Sequence, residues 1–370
     1  MEAIRRRTGH GLLALLLVLG ALLGMSAAPA GACACGAMAD PEGDRSDASV
    51  QEETAVLSLR DGTETIILSL ELDAEARGAT LIMPTPSVPT VAEGDPSTLR
   101  ELAVATAPRQ EQELDWWGTP FWLAGSADGG GAPGAAAPTG AARIHSQQRL
   151  GAFEVVVLDG TAEAVSGWLA QNGYVLEESV LALLPAYAED GWTFTAVRYA
   201  EDVDVSADVS PLRFDFPATE LVYPMRLSQA ASQEQQVHLF VLGEEPVRRS
   251  DGSAAQQSVE RPWIANPAHL DWTWSDDTLR ELTADAEGRP GGAMVTEFRI
   301  SGEPSSFTSD MTFATDSEDP WVVPTRTVTV PVEVAGIPAG WLLVVAGGLL
   351  VVLTLYGVGA TAAAVRARRR

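Results

Sequence analysis

The sequence has 370 residues, 46% of them hydrophobic, and a formal charge of −26 from 24 basic and 50 acidic side chains. All 24 basic residues are Arg, which excludes a Walker A phosphate loop, a kinase strand Lys and a Schiff-base amine. A chain this acidic lacks the basic patch that nucleic acid requires, so no nucleic-acid partner is expected.

The N-terminus opens with Arg5, Arg6 and Arg7, followed by an apolar run from Gly11 to Gly24 and then small residues. Ala28-Pro29-Ala30, Ala30-Gly31-Ala32 and Ala32-Cys33-Ala34 fit a small-x-small cleavage pattern, so residues 1–32 are expected to be a signal peptide. The two cysteines, Cys33 and Cys35, then lie at the mature N-terminus. A disulfide across one intervening residue is strained, and two thiols without a nearby His make a poor metal site. A short tether or a redox-sensitive pair is the expectation; a lipidated Cys33 is weakened by Ala30 standing where a Leu is wanted.

Residues 36–53 are polar and acidic and read as a mobile entry segment. Two β-prone runs follow, Ala55–Arg60 and Thr63–Leu72, joined by Asp61-Gly62, the pair that a type I′ hairpin turn favours. Ala79–Met83 reads as a strand entering the proline-rich Pro84–Pro89. Asp95-Pro96 has the N-cap and first-turn residues of a helix through Leu99, Leu102 and Val104. Trp116, Trp117 and Trp122 flank Gly118-Thr119-Pro120, and such loop aromatics can stack on sugar rings or enter a partner. Covering the β core beneath is their alternative use. Residues 125–142 are nearly all Gly, Ala, Pro and Ser and read as a flexible insertion.

Phe153–Leu158 is an apolar strand. Thr161 begins a helix ended by Asn172-Gly173. A second helix is expected from Glu177 to Leu184, stopped by Pro185, before a strand from Trp192 to Tyr199. This β-α-α-β unit suggests an α+β ectodomain, rich in β structure. Pro211–Phe216, Thr219–Leu227 and Val237–Leu242 supply further strands. After a polar loop, residues 244–335 read as a β-rich C-terminal part and stalk, with a short helix near Asp276–Thr283. The expected division is an ectodomain over 33–243, this second part, a transmembrane helix over 337–365 and an Arg tail over 366–370. Trp341–Ala360 is 20 uncharged residues, about 30 Å of helix and enough to cross hydrocarbon. The Arg tail belongs on the cytoplasmic side, giving a type I single-pass topology at the cell membrane.

Leu81–Pro89, the Phe153–Gly160 strand, Trp168-Leu169 with Asn172-Gly173-Tyr174, Gly191-Trp192-Thr193-Phe194 and Glu220–Leu227 together resemble the bacterial family named domain of unknown function 2330. The resemblance implies an exported bacterial protein, often C-terminally anchored, and implies no activity, cofactor or catalytic residue.

The residues themselves give no cofactor site. His145, His238 and His269 lie in separate segments. The acidic run Glu201–Asp208 fails as a calcium loop, with Ala207 where Gly is needed and Arg213 where Glu is needed. Two function classes remain: a non-catalytic module binding an envelope protein or glycan, and an extracytoplasmic hydrolase using dispersed carboxylates.

Overall fold

The computed structural model describes residues 32–33, 35–41, 53–69, 79–117, 143–200, 210–285, 288–289, 291–316, 318, 321–334 and 337–367. Residues 1–31 of the expected signal peptide, Trp122, the 125–142 insertion, the 201–208 acidic run and Arg368–Arg370 lie outside them. The chain divides into two units, Met1–Thr106 with Ala132–Val322 and Ala107–Gly131 with Val323–Arg370.

In chain order the elements are β1 (Ala32–Cys33), β2 (Gly36–Pro41), β3 (Glu53–Arg60), β4 (Thr63–Ser69), β5 (Thr80–Thr85), β6 (Thr90–Glu93), α1 (Pro96–Ala105), β7 (Arg109–Asp115), β8 (Arg143–Leu150), β9 (Phe153–Asp159), α2 (Ala162–Gln171) and β10 (Tyr174–Val175). They continue through α3 (Glu178–Leu181), α4 (Leu184–Glu189), β11 (Thr193–Tyr199), β12 (Leu212–Pro217), β13 (Val222–Tyr223), β14 (Gln235–Gly243), β15 (Val247–Arg249), β16 (Ser258–Ala265) and α5 (Asp277–Leu282). The remainder are β17 (Met294–Gly302), β18 (Met311–Thr315), β19 (Thr325–Pro331), β20 (Glu333–Val334), β21 (Ile337–Pro338) and α6 (Ala339–Ala367). Among the described residues the protein is therefore rich in β structure, with few helices and one long apolar helix near the C-terminus.

The first unit is built on two seven-stranded sheets. One has the order β1-β2-β5-β11-β9-β8, with β10 beside β2; the other runs β16-β17-β14-β3-β4-β12-β6. Strand alternation decides which faces meet. Leu81, Met83, Val155, Val157 and Val197 of the first sheet share one buried cluster with Leu57, Ile66, Leu68, Phe214, Leu239 and Phe298 of the second. The alternate residues Ile82, Val156, Leu158, Phe194 and Ala196 instead join Val165, Trp168, Leu169, Val180, Leu184 and Tyr187 from the helices. The layers are thus helices, sheet, sheet, with α1 packed on β3 of the second sheet.

The expected mobile entry is overturned at its start, where Gly36–Pro41 forms the buried strand β2 against β5 because Ala37, Met38 and Ala39 enter the core; several other local expectations hold. The hairpin turns at Asp61-Gly62, with φ of 50° and 74°. Asp95 caps α1 through Ser97 N. Between β9 and β11 the chain departs from a simple two-helix unit: β10 intervenes, and the expected second helix is two short ones. Pro185 starts α4 instead of ending a helix, because Pro at the first turn forfeits no intrahelical bond. The expected strand over Thr219–Leu227 shortens to Val222–Tyr223 and gives way to a 3-10 turn over Arg226–Ala230.

The second unit is a parallel ribbon of β7 and β19, in register from Thr325 opposite Arg109 to Pro331 opposite Asp115. It also holds the short β20–β21 pair and α6. Within α6, Ala339–Ala363 has a mean hydropathy of 2.3, is largely exposed from Trp341 onward, and is long and apolar enough to span a membrane.

Candidate functional site

Two adjoining open recesses in the first unit share one wall, Trp192. One, of about 610 Å³, is lined by Asp159, Gly160, Thr161, Glu163, Pro185, Ala188, Glu189 and Gly191. The other, of about 510 Å³, is lined by Gly62, Pro86, Pro217, Ala218, Thr219, Glu220 and Val222.

The chain presents Trp192 through the end of α4. Gly191 adopts φ 77°, and its N–H donates to the Ala188 carbonyl at 3.1 Å, while Trp192 N–H donates to the Tyr187 carbonyl at 3.0 Å. These two bonds define a Schellman motif, in which the residue after the left-handed glycine packs back on the last turn. Accordingly the Trp192 and Tyr187 rings lie 4.8 Å apart. Arg226 fixes both rings from one side, with its guanidinium 4.0 Å from the Tyr187 ring centre and 5.5 Å from that of Trp192. Arg226 in turn pairs with Asp310 at 2.7 Å and Asp190 at 2.8 Å. The Tyr187 hydroxyl donates to Asp310, which also accepts Met225 N–H at 2.8 Å. Burial, then the Asp310 charge, pushes the Tyr187 phenol well above its ordinary range. Trp192 is therefore a rigid wall, with its supports ordered before any ligand arrives.

The opposite wall is a loop held by three tethers. Ala218 N–H donates to the Gly62 carbonyl at 3.0 Å, Ser87 Oγ donates to the Pro217 carbonyl at 2.8 Å, and Val222 N–H reaches the Glu64 carboxyl at 3.1 Å. Glu64 is fully buried, and burial pushes its pKa up to about 9, helped by the nearby Glu220 charge. It stays protonated at neutral pH. Thr219 and Glu220 remain exposed between the tethers. Asp159, Glu163, Glu189 and Glu220 make the combined edge acidic, although Asp159 is engaged by His145 at 2.8 Å. Pro86, Pro185 and Pro217 supply stiff apolar surface.

The segments that carried the family resemblance converge here: Pro86, Gly160, Gly191-Trp192 and Glu220 come from four of them. The sequence carries no sign of this convergence, and it places Glu220 in a strand that begins only at Val222. The register of β11 on β5, which sets Thr193 opposite Thr85, brings Trp192 beside Pro86. That pairing spans more than a hundred residues and has no local signal.

Of the described residues singled out from sequence, His145 adjoins this cleft through Asp159; the others lie elsewhere. Trp116 and Trp117 are exposed in the second unit, directly after β7. Cys35 is a buried thiol whose N–H donates to Glu53 Oε2 at 3.0 Å, and the Tyr223 hydroxyl donates to the same carboxyl. Burial raises the Glu53 pKa. Cys33 pairs through its backbone with Gly36. Glu53 and Glu64 are not a catalytic pair. Glu64 lies opposite Leu59 in the hairpin register, six strand positions and roughly 20 Å from Glu53. The three His have separate partners: His145 meets Asp159, His238 meets Glu297 at 2.9 Å, and His269 stacks on Trp321. Among the described residues, no three His, Cys, Asp or Glu side chains are grouped to hold a metal.

A family model described as an uncharacterized protein conserved in bacteria, DUF2330, matches residues 29–314. No curated protein and no solved structure matches the chain.

Proposed function

The chain belongs to the bacterial DUF2330 family, and on that footing we propose an exported, single-pass membrane protein whose acidic ectodomain binds an envelope partner without catalysis. The apolar length of α6 supports the anchor. The basic n-region and the Arg-rich C-terminus support export and a cytoplasmic tail, by the excess of Arg on that side.

The construction of the Trp192 cleft carries the binding reading. A pre-ordered aromatic wall, proline-stiffened apolar surface and an acidic rim are the parts of a recognition surface. The buried Glu64 and the partly buried Asp310 beside it are occupied as structural tethers: Glu64 holds Val222, and Asp310 holds Tyr187, Met225 and Arg226. The rim favours a protein partner that offers basic and apolar side chains. Replacing Trp192 by Ala removes the shared wall and leaves the strands intact. Full-length W192A, cross-linked in its native membrane and purified, is expected to lose a partner that the unaltered chain retains, with an unchanged far-UV spectrum. Capture of the unaltered chain should weaken with salt. Retention by glycan alone, insensitive to salt, would move the partner class from protein to glycan.

An extracytoplasmic hydrolase is the second reading. Burial raises the Glu64 pKa, as a general acid requires, but its carboxyl is enclosed and lines neither recess. A hydrolase of this kind loses its activity in Glu64→Gln, whereas a binding module with that substitution keeps its partner.

A further inference from the structure

The second unit places exposed aromatic residues against the start of the apolar helix. Arg109 to Glu113 of β7 are charged or amide side chains and all are exposed. The character then changes within two residues: Leu114 is 54% exposed, Trp116 45% and Trp117 55%. Trp341, in the first turn of α6, is 56% exposed, and its ring meets that of Trp117 edge-on at 6.0 Å.

This junction is tightly built. Asp115 accepts Trp117 N–H at 2.8 Å, turning the chain after β7. Val332 N–H donates to the Asp115 carbonyl at 2.8 Å, and Ala339 N–H to the Val332 carbonyl at 2.7 Å. Gly340 N–H donates to the Trp116 carbonyl at 2.6 Å. A Cβ at Gly340 would stand 2.5 Å from that carbonyl oxygen and 2.8 Å from the Trp117 ring, so only glycine permits the approach. A segment more than two hundred residues away in sequence is thus fastened to the helix start.

From this junction we infer that Trp116 and Trp117 form a second membrane contact, seated with Trp341 in the interfacial layer of the outer leaflet. The inference rests on the reading of α6 as a membrane span. Tryptophan concentrates at that depth because its ring is large and apolar while its N–H stays hydrated. The occupant is the lipid headgroup boundary, because the exposed rings are continuous with a helix whose apolar surface needs hydrocarbon. The switch from charged β7 to Leu114, Trp116 and Trp117 is the polarity change of a chain entering an interface. The contact sets the tilt of the β7–β19 ribbon on the membrane, since two points of attachment replace one.

The test uses the full chain in nanodiscs whose lipids are brominated near the headgroup or near the middle of the acyl chains. The W116F/W117F variant is expected to lose the larger part of the quenching by shallow bromines, with little change for deep ones. Gly340→Val, which keeps every tryptophan but forces the turn off the helix, should show a similar loss. If W116F/W117F is quenched like the unaltered chain while Trp341→Phe removes the quenching, Trp341 alone meets lipid; the inference fails and the anchor stands. If the unaltered chain is not quenched at either depth, the anchor reading fails too. If soluble cell-wall glycan alters Trp116 and Trp117 emission and bromolipid does not, the surface is a glycan platform and the inference is overturned.

Discussion

At the scale of single residues, Glu64 decides how the cleft responds to pH. Its folded pKa of about 9 lies far above the ordinary carboxyl value, 4.5. The folded chain therefore keeps a proton that the unfolded chain has released. The contribution of this group to stability is fullest below about pH 4.5. It declines as the pH rises toward about 9, by at most about 1.4 kcal/mol per pH unit. Glu64→Gln keeps an acceptor for Val222 N–H and removes the titration. Thermal midpoints measured from mildly acidic to alkaline pH should fall less steeply for E64Q than for the unaltered chain. Some slope will persist, because burial raises Glu53 in the same direction. Equal slopes would show that Glu64 ionises freely in the folded chain. Neither acid could be picked out from sequence. Glu53 and Glu64 occupy the inward-facing alternate positions of β3 and β4, yet nothing local separates an inward Glu with a distant N–H or hydroxyl partner from one on a solvated face.

At the scale of elements, caps and turns were the most legible features, because they are settled within four residues. Asp61-Gly62, Asp95-Pro96, Thr161 and Asn172-Gly173 all do what their chemistry requires. The end of α4 was equally local, and Asp190-Gly191-Trp192 carries its signature. The misreading came from taking Pro185 as a stop. Less local is the partnership of α1 and α5. Asp276 caps α5 through Leu279 N at 2.7 Å and accepts Ser97 Oγ at 2.7 Å and Thr98 Oγ1 at 3.2 Å from α1. Glu101 of α1 returns the contact, accepting Asp276 N–H at 2.8 Å. Replacing Asp276 by Ala removes a cap and strands two hydroxyl donors. A loss of about 2 kcal/mol is expected, read as a lower denaturant midpoint with an unchanged slope. A change below about 0.5 kcal/mol would mean that the two helices do not depend on this link.

At the scale of the whole molecule, the succession of short strand-like runs and the apolar C-terminal stretch agree with a β-rich structure that has one apolar helix among the described residues. What they left dark were pairings between distant strands. The β14–β3 contact is parallel and joins residues near 240 to residues near 55. The β7–β19 ribbon pairs a charged strand without hydrophobic alternation to residues more than two hundred positions away. Hydrophobic periodicity marks which face of a strand is buried and is silent about which strand lies beside it. For the same reason Trp116 and Trp117 were visible as an aromatic pair, while the helix they lean on was not. Trp192 was visible as part of a family segment, while the cleft it divides was not. Binding of an envelope protein in this cleft, as proposed, can be read with a photo-crosslinking residue at Ala188, which lines it. With the full chain irradiated in its native membrane, Ala188 is expected to give one dominant protein adduct. That adduct should disappear in the Trp192→Ala background and should not form from the exposed Gln256. No adduct at Ala188, or the same adducts from Ala188 with and without Trp192, would mean that the cleft does not bind a protein through Trp192.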